Sequence, residues 1–118
     1  MMGDIVRDIE KRVINGFMDF IILSALGHNG GCISGYDVIK HVYLQFHFLP
    51  SSGTVYSHLY AMERTGLVCG VQENRRRVYR LTSKGLGVVR EVERVNGDVQ
   101  RFVARVFSGR NVGFNRLP

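Results

Sequence analysis

Apolar residues recur along most of this chain every three to four positions, the rhythm of a buried helical face. They alternate only in one short stretch past the middle. Residues 4–14 set Ile5, Ile9 and Val13 at helical spacing with charges between them. Gly16 either interrupts that helix or lets a neighbour pack close. From Phe17 to Gly27 the chain turns strongly apolar, and Phe17, Met18, Phe20, Ile21, Ile22, Leu23 and Leu26 occupy two faces. That exceeds what a small domain buries, so this helix is expected to serve both the core and a subunit interface. The segment His28–Gly35 reads as a turn by composition. Ser34 is the expected N-cap of a helix over about Gly35 to Phe46, with Tyr36, Ile39, Val42 or Tyr43, and Phe46 as its stripe. Phe48-Leu49-Pro50 breaks the chain again, because the residue before a proline avoids the helical region.

Residues 51–65 form the stretch the rest is expected to present. A proline followed by Ser51 and Ser52 is helix-start chemistry, and Gly66 is a helix end. Val55, Leu59 and Met62 make one apolar stripe. The other faces carry Ser52, Thr54, Tyr56, Ser57, His58 and Tyr60, with charge only at Glu63 and Arg64. Taken alone, the stretch fits a plain amphipathic core helix. Its flanks point elsewhere. A short helix, a brief proline-containing turn and a hydroxyl-rich helix make the helix-turn-helix pattern. Then 67–73 reads as a strand, Asn74-Arg75 as a turn and 76–81 as a returning strand. Arg77, Tyr79 and Leu81 share one face of it, and Arg76, Val78 and Arg80 the other. Such a hairpin is a wing, and Arg75, Arg76, Arg77 and Arg80 crowd it with guanidinium groups that suit phosphate.

A final helix is predicted over 83–107, capped by Thr82-Ser83. Val88, Val92, Val95, Val99, Phe102 and Val106 step by four, three, four, three and four, the seam of a heptad. Val89, Val103 and Phe107 widen it. Gly85, Gly87, Gly97 and many valines give poor helix propensity, so burial must hold this helix. The seam is expected to pack on a second copy and on the first apolar helix, through Phe17 and Ile21. The predicted fold is mainly α with a small β-hairpin: a winged helix-turn-helix over 1–82, a dimerisation helix over 83–107 and a mobile tail over 108–118.

Composition narrows the partners. In 118 residues the formal net charge is +6, a balance that suits a polyanion, nucleic acid before membrane surface. The apolar share of 45% is that of a globular chain. No apolar run approaches the length of a membrane span, and no signal peptide is evident, so a cytoplasmic protein is expected. Cys32 and Cys69 form neither a disulfide framework nor a zinc spacing. His28, Cys32, His41 and His47 match no standard metal site, and no metal or cofactor is expected. No serine or cysteine has a base partner at a catalytic spacing, so an enzyme is not expected either.

Four stretches together resemble the PadR family of winged-helix transcriptional regulators. They are Gly35-Tyr36-Asp37, Ser52-Gly-Thr-Val-Tyr-Ser-His-Leu59, Glu63-Arg-Thr-Gly-Leu-Val68 and Arg77-Val-Tyr-Arg-Leu-Thr-Ser-Lys-Gly85. The likeness spans about residues 17 to 107. It implies a homodimer, a winged helix-turn-helix and a C-terminal dimerisation helix. It also implies a pseudo-palindromic operator, with repression commonly relieved by a small ligand. The C-terminal part is a single helix, as in the short branch of the family. The chain has no tryptophan, so the tryptophan-stacking pocket of some members has no counterpart.

The expected DNA-binding residues are therefore Ser51 and Ser52 at phosphates, Thr54, Ser57, His58 and Tyr60 in the major groove, and Tyr56 through its hydroxyl. Arg75, Arg76 and Arg77 are expected on the backbone or a flanking minor groove. Tyr36 fits core packing as well as phosphate contact. Tyr79 fits the core or the wing, and Lys84 a solvated surface. The competing function is a winged helix kept as a protein-interaction module of the transcription machinery.

Overall fold

The two N-terminal helices meet at a joint one residue long. In a computed structural model, which describes residues 2–109, α1 runs Met2–Gly16 and α2 Met18–Asn29. Phe17 leaves helical geometry (φ −118°, ψ 26°), yet its N–H donates to the Val13 carbonyl at 2.9 Å and its own carbonyl accepts from Ile21 at 3.0 Å. α2 passes the expected stop at Gly27 and ends where Gly30 turns left-handed (φ 66°). The stripe expected on α1 is largely bare: Ile5 and Val13 are exposed, and Ile14 is the buried residue. Arg7 ties α1 down instead, donating to the carbonyls of Phe46, at 3.1 Å, and His47.

The expected turn before residue 35 contains a strand, β1 Ile33–Ser34. Two residues are too few to display alternation, and the flanking glycines mask them. Ser34 then caps α3, Gly35–Phe46, in a reciprocal box. Its Oγ accepts from Asp37 N at 3.1 Å, and Asp37 Oδ2 accepts from Ser34 N at 2.9 Å. This cap fixes the phase of α3. Gly35, Val38 and Val42 turn inward, while Tyr36 and Tyr43, both expected in the stripe, stand exposed. Ser34 is buried, so Ser34→Ala removes a hidden acceptor and is expected to cost about 1–2 kcal/mol in a denaturant titration. The Ser34 N–H, ahead of the Ser34 hydroxyl and Arg76, holds the Asp37 carboxyl below its usual range. With a folded value below the unfolded one, that contribution is present at neutral pH and fades as pH falls through the folded value.

His47, left-handed at φ 54°, closes α3, and the turn with buried Pro50 leads to α4, Ser52–Arg64. Val55, Leu59 and Met62 are buried as expected. β2, Val68–Glu73, and β3, Arg76–Leu81, pair antiparallel across a turn in which Asn74 takes φ 56°. β1 adds to the other side of β3 with Ile33 opposite Tyr79, so the sheet order is β1-β3-β2 and the expected two-stranded wing has three strands. Thr82 caps α5, Ser83–Phe107, accepting from Gly85 N at 3.1 Å while its hydroxyl donates to the Gly66 carbonyl at 2.5 Å.

α2 lies at the centre. Met18, Ile22, Leu23 and Leu26 are buried among Val38 and Val42 of α3, Val55 and Leu59 of α4, Tyr79 of β3 and Val89 of α5. Only the first turns of α5 join this core. The rest projects, and the Cα radius of gyration, 17.3 Å, exceeds the roughly 13–14 Å of a compact domain this size. Of the tail expected to be mobile, residues 110–118 lie outside the described residues.

Candidate nucleic-acid interface

Burying Val55, Leu59 and Met62 leaves the opposite side of α4 to solvent. Gly53, Ser57, Tyr60 and Arg64 recur at helical spacing along it, and all are exposed. No acidic side chain interrupts this stripe. Ser52 is exposed beside it, while Thr54 and His58 are half-buried at its margins. Gly53 and Arg64 were not among the residues expected at the site, and their shared period with Ser57 and Tyr60 was the available signal. A Cβ on Gly53 would meet nothing within 4 Å, so the backbone there is open to close approach from outside.

Ser51 has a different task from the one expected. It is the N-cap of α4: its Oγ accepts from Thr54 N at 3.1 Å and its proton goes to Thr54 Oγ1 at 2.8 Å. Its hydroxyl proton is therefore engaged within the chain. Tyr56 is half-buried, with the hydroxyl end of its ring against Gly35 at the start of α3. A Cβ on Gly35 would come within 2.5 Å of that ring, which explains a glycine directly after the cap. Tyr56 and Tyr60 stand 6.2 Å apart between ring centres, an aromatic ridge at the edge of the exposed stripe.

The wing divides its arginines. Arg75, in the turn itself, makes no ion pair among the described residues. Arg76 leans on Asp37 at 3.8 Å with most of its side chain exposed, a contact too loose to hold it. Arg80 is exposed. Arg77, expected with Arg75 and Arg76 at phosphate, is instead turned inward onto Glu63 at 2.7 Å. Tyr79 belongs to the core, fully buried, and burial pushes its phenol pKa up. Among the described residues its hydroxyl has no hydrogen-bond partner.

The heptad seam of α5 is visible as a bare stripe. Val88 packs partly on the core and Val95 is half-buried, but Val92, Val99, Phe102 and Val106 are exposed. Phe17 is exposed too, 6.1 Å from Phe20. Ile21 packs against the core and, with Phe20, Phe46, His28 and His41, lines a cleft of about 520 Å³ between α2 and α3. His28 is bonded to the Ser24 carbonyl of its own helix at 2.7 Å. Among the described residues no group of three or more His, Cys, Asp or Glu could hold a metal ion, and no helix is long and apolar enough to cross a membrane.

A helix-turn-helix, a hairpin wing with arginines at its tip and a long following helix define a winged-helix protein of the DNA-binding type. The chain belongs to the PadR-like family of transcriptional regulators, whose family model matches residues 22–91, more than half of its length. Solved structures agree. A transcriptional regulator from Clostridium thermocellum is 27% identical with a TM-score of 0.66, over 81% of this chain and 94% of that one. A PadR family regulator from Clostridium difficile is 26% identical at 0.65, over 79% and 99%. Bacillus subtilis PadR, solved in complex with operator DNA, shares the fold at 21% identity and 0.52, over 63% and 45%. A comparison with curated proteins gave no significant match.

Proposed function

We propose that this protein is a homodimeric repressor that reads a pseudo-palindromic operator in the cytoplasm. α4 enters the major groove through Ser57, Tyr60 and the half-buried Thr54 and His58. Ser52, Tyr56 and Arg64 lie at its edges, toward phosphate, with Ser51 holding the helix start. Arg75 and Arg76 of the wing grip the flanking backbone. The observation that carries this reading is the composition of the exposed side of α4: short hydroxyls, an aromatic ridge and one arginine, next to a wing whose tip arginines are not committed internally. The bare heptad stripe of α5 supports pairing with a second copy. In Bacillus subtilis PadR the same fold sits on operator DNA. Repression, as in the family at large, follows if the operator overlaps a promoter.

Selection of bound sites from random duplex DNA by the purified protein tests the proposal. Two inverted half-sites roughly one helical turn apart, about 34 Å, are expected. Recovery of no enriched site, with capture of a transcription-machinery protein instead, would favour an interaction module. Arg76→Ala is expected to weaken binding to every duplex and lower the salt slope by about 1.8, about 0.9 for the one phosphate contact of each subunit of the dimer. Ser57→Ala should leave that slope alone and change which half-site is preferred. Fluorescence anisotropy across a salt series reads both.

A further inference from the structure

We infer that Glu63 and Arg77 are positioning residues that fix the angle of the wing against α4, so that an acidic side chain near the duplex raises DNA affinity. This rests on the operator-reading function proposed above. Glu63 stands in the last turn of α4, and its Oε2 takes two donors. One is the Arg77 guanidinium of β3 at 2.7 Å, the other the Gly70 N–H of β2 at 3.1 Å. A single carboxylate oxygen thus holds both strands of the wing to the reading helix. Gly70 makes room for this arrangement, because a Cβ there would lie 2.7–2.9 Å from the guanidinium. On its other side Arg77 lies over the Tyr79 ring, 5.8 Å from its centre, and Tyr79 is locked in the core.

Arg77 is therefore fixed between helix, glycine and aromatic ring. Neighbouring Arg76 has only the 3.8 Å contact with Asp37 and remains free to swing. The clamp lies at the base of a lever. From Gly70 to Asn74 the strand rises about 13 Å, so a 10° rotation at the base moves the tip by about 2 Å. A shift of that size breaks hydrogen-bond geometry between Arg75 or Arg76 and a phosphate that α4 has already positioned.

The sign of one substitution separates this role from the obvious alternative. Near DNA, an acid repels phosphate, so replacing it with a neutral group ordinarily tightens binding. The clamp predicts the reverse for Glu63→Gln. Anisotropy titrations would use the duplex recovered by selection, over a salt series, with Glu63→Gln, Arg77→Met, Arg77→Lys and the double variant Glu63→Gln/Arg77→Met. Each single change is expected to weaken binding about tenfold, the scale of one charge-assisted hydrogen bond, with the salt slope unchanged. The double variant should be no weaker than either single one, since all remove the same link. Arg77→Lys should be weak as well, because an ammonium lacks the planar guanidinium that reaches Glu63 while lying over the Tyr79 ring, whereas a phosphate contact would largely survive it. Equal or tighter binding by Glu63→Gln, or a slope reduced by about two in Arg77→Met, one for each subunit, would overturn the clamp. If the wild-type protein bound no duplex at all, the operator-reading function would fail instead. The clamp would then be read from the Gly70 amide resonance, which Glu63→Gln must shift together with its wing neighbours if the link exists.

Discussion

Gly85→Ala is expected to destabilise this protein by about 3 kcal/mol, the upper range for forcing a methyl group into a filled core. The sign is opposite to intuition, since in a helix interior alanine is ordinarily favoured over glycine by about 1 kcal/mol. Gly85 is buried in the first turn of α5, where a Cβ would lie 2.1 Å from the Leu67 carbonyl oxygen and 2.9 Å from the Leu81 side chain. A side chain could yield; the carbonyl belongs to the backbone. Thr82 N donates to that same carbonyl at 3.2 Å, so moving it also disturbs the start of the helix. Gly87, two residues on, meets nothing within 4 Å, and Gly87→Ala is expected to stabilise by about 0.5–1 kcal/mol. Thermal melts at one fixed protein concentration compare the two. A Gly85→Ala protein as stable as the wild type would mean that α5 does not seat on Leu67 as described.

The second large effect concerns the far part of α5. Val99 and Phe102 are 48% and 57% exposed, although they sit in the apolar seam. A charge placed there costs the isolated chain little, but it is intolerable in a packed seam. Phe102→Glu is therefore expected to leave a folded single subunit in analytical ultracentrifugation. Operator affinity should fall by about 100-fold or more, the order of advantage gained by linking two half-site readers. Persistence of the dimer with full affinity would show that subunits pair through another surface.

Local chemistry made much of this molecule legible. Both ends of α5 follow from Thr82, the heptad steps and the change of composition after Phe107. The inward stripe of α4 is a plain helical period, and β2 and β3 follow from alternation around Asn74. What stayed hidden depended on contacts distant in sequence. β1 exists because β3 offers it an edge. The phase of α3 is set by a buried cap and by the Tyr56 ring against Gly35, so Tyr36 and Tyr43 turn outward despite their apolar bulk. On α1, Ile14 rather than Val13 reaches the core, a difference of one residue that spacing alone does not decide. Within the candidate site, the arginine cluster was readable as a cluster. That Arg77 faces inward depends on Glu63 and Gly70, from two other elements, and no property of the run itself distinguishes it from its neighbours. The role of Ser51 was half visible, since a serine after proline is both a helix cap and a phosphate donor.

β3 ends at Leu81 and α5 begins at Ser83, with only the capping Thr82 between them. In the proposed dimer, no swivel would separate the part that touches a duplex from the part that sets the distance to its twin. The gap between two such readers would then behave like that of a caliper forged in one piece, set by the rotational phase of a single helix. A signal that released such a dimer from DNA would have no slack linker to loosen, and would have to act by twisting or tilting that helix as a whole.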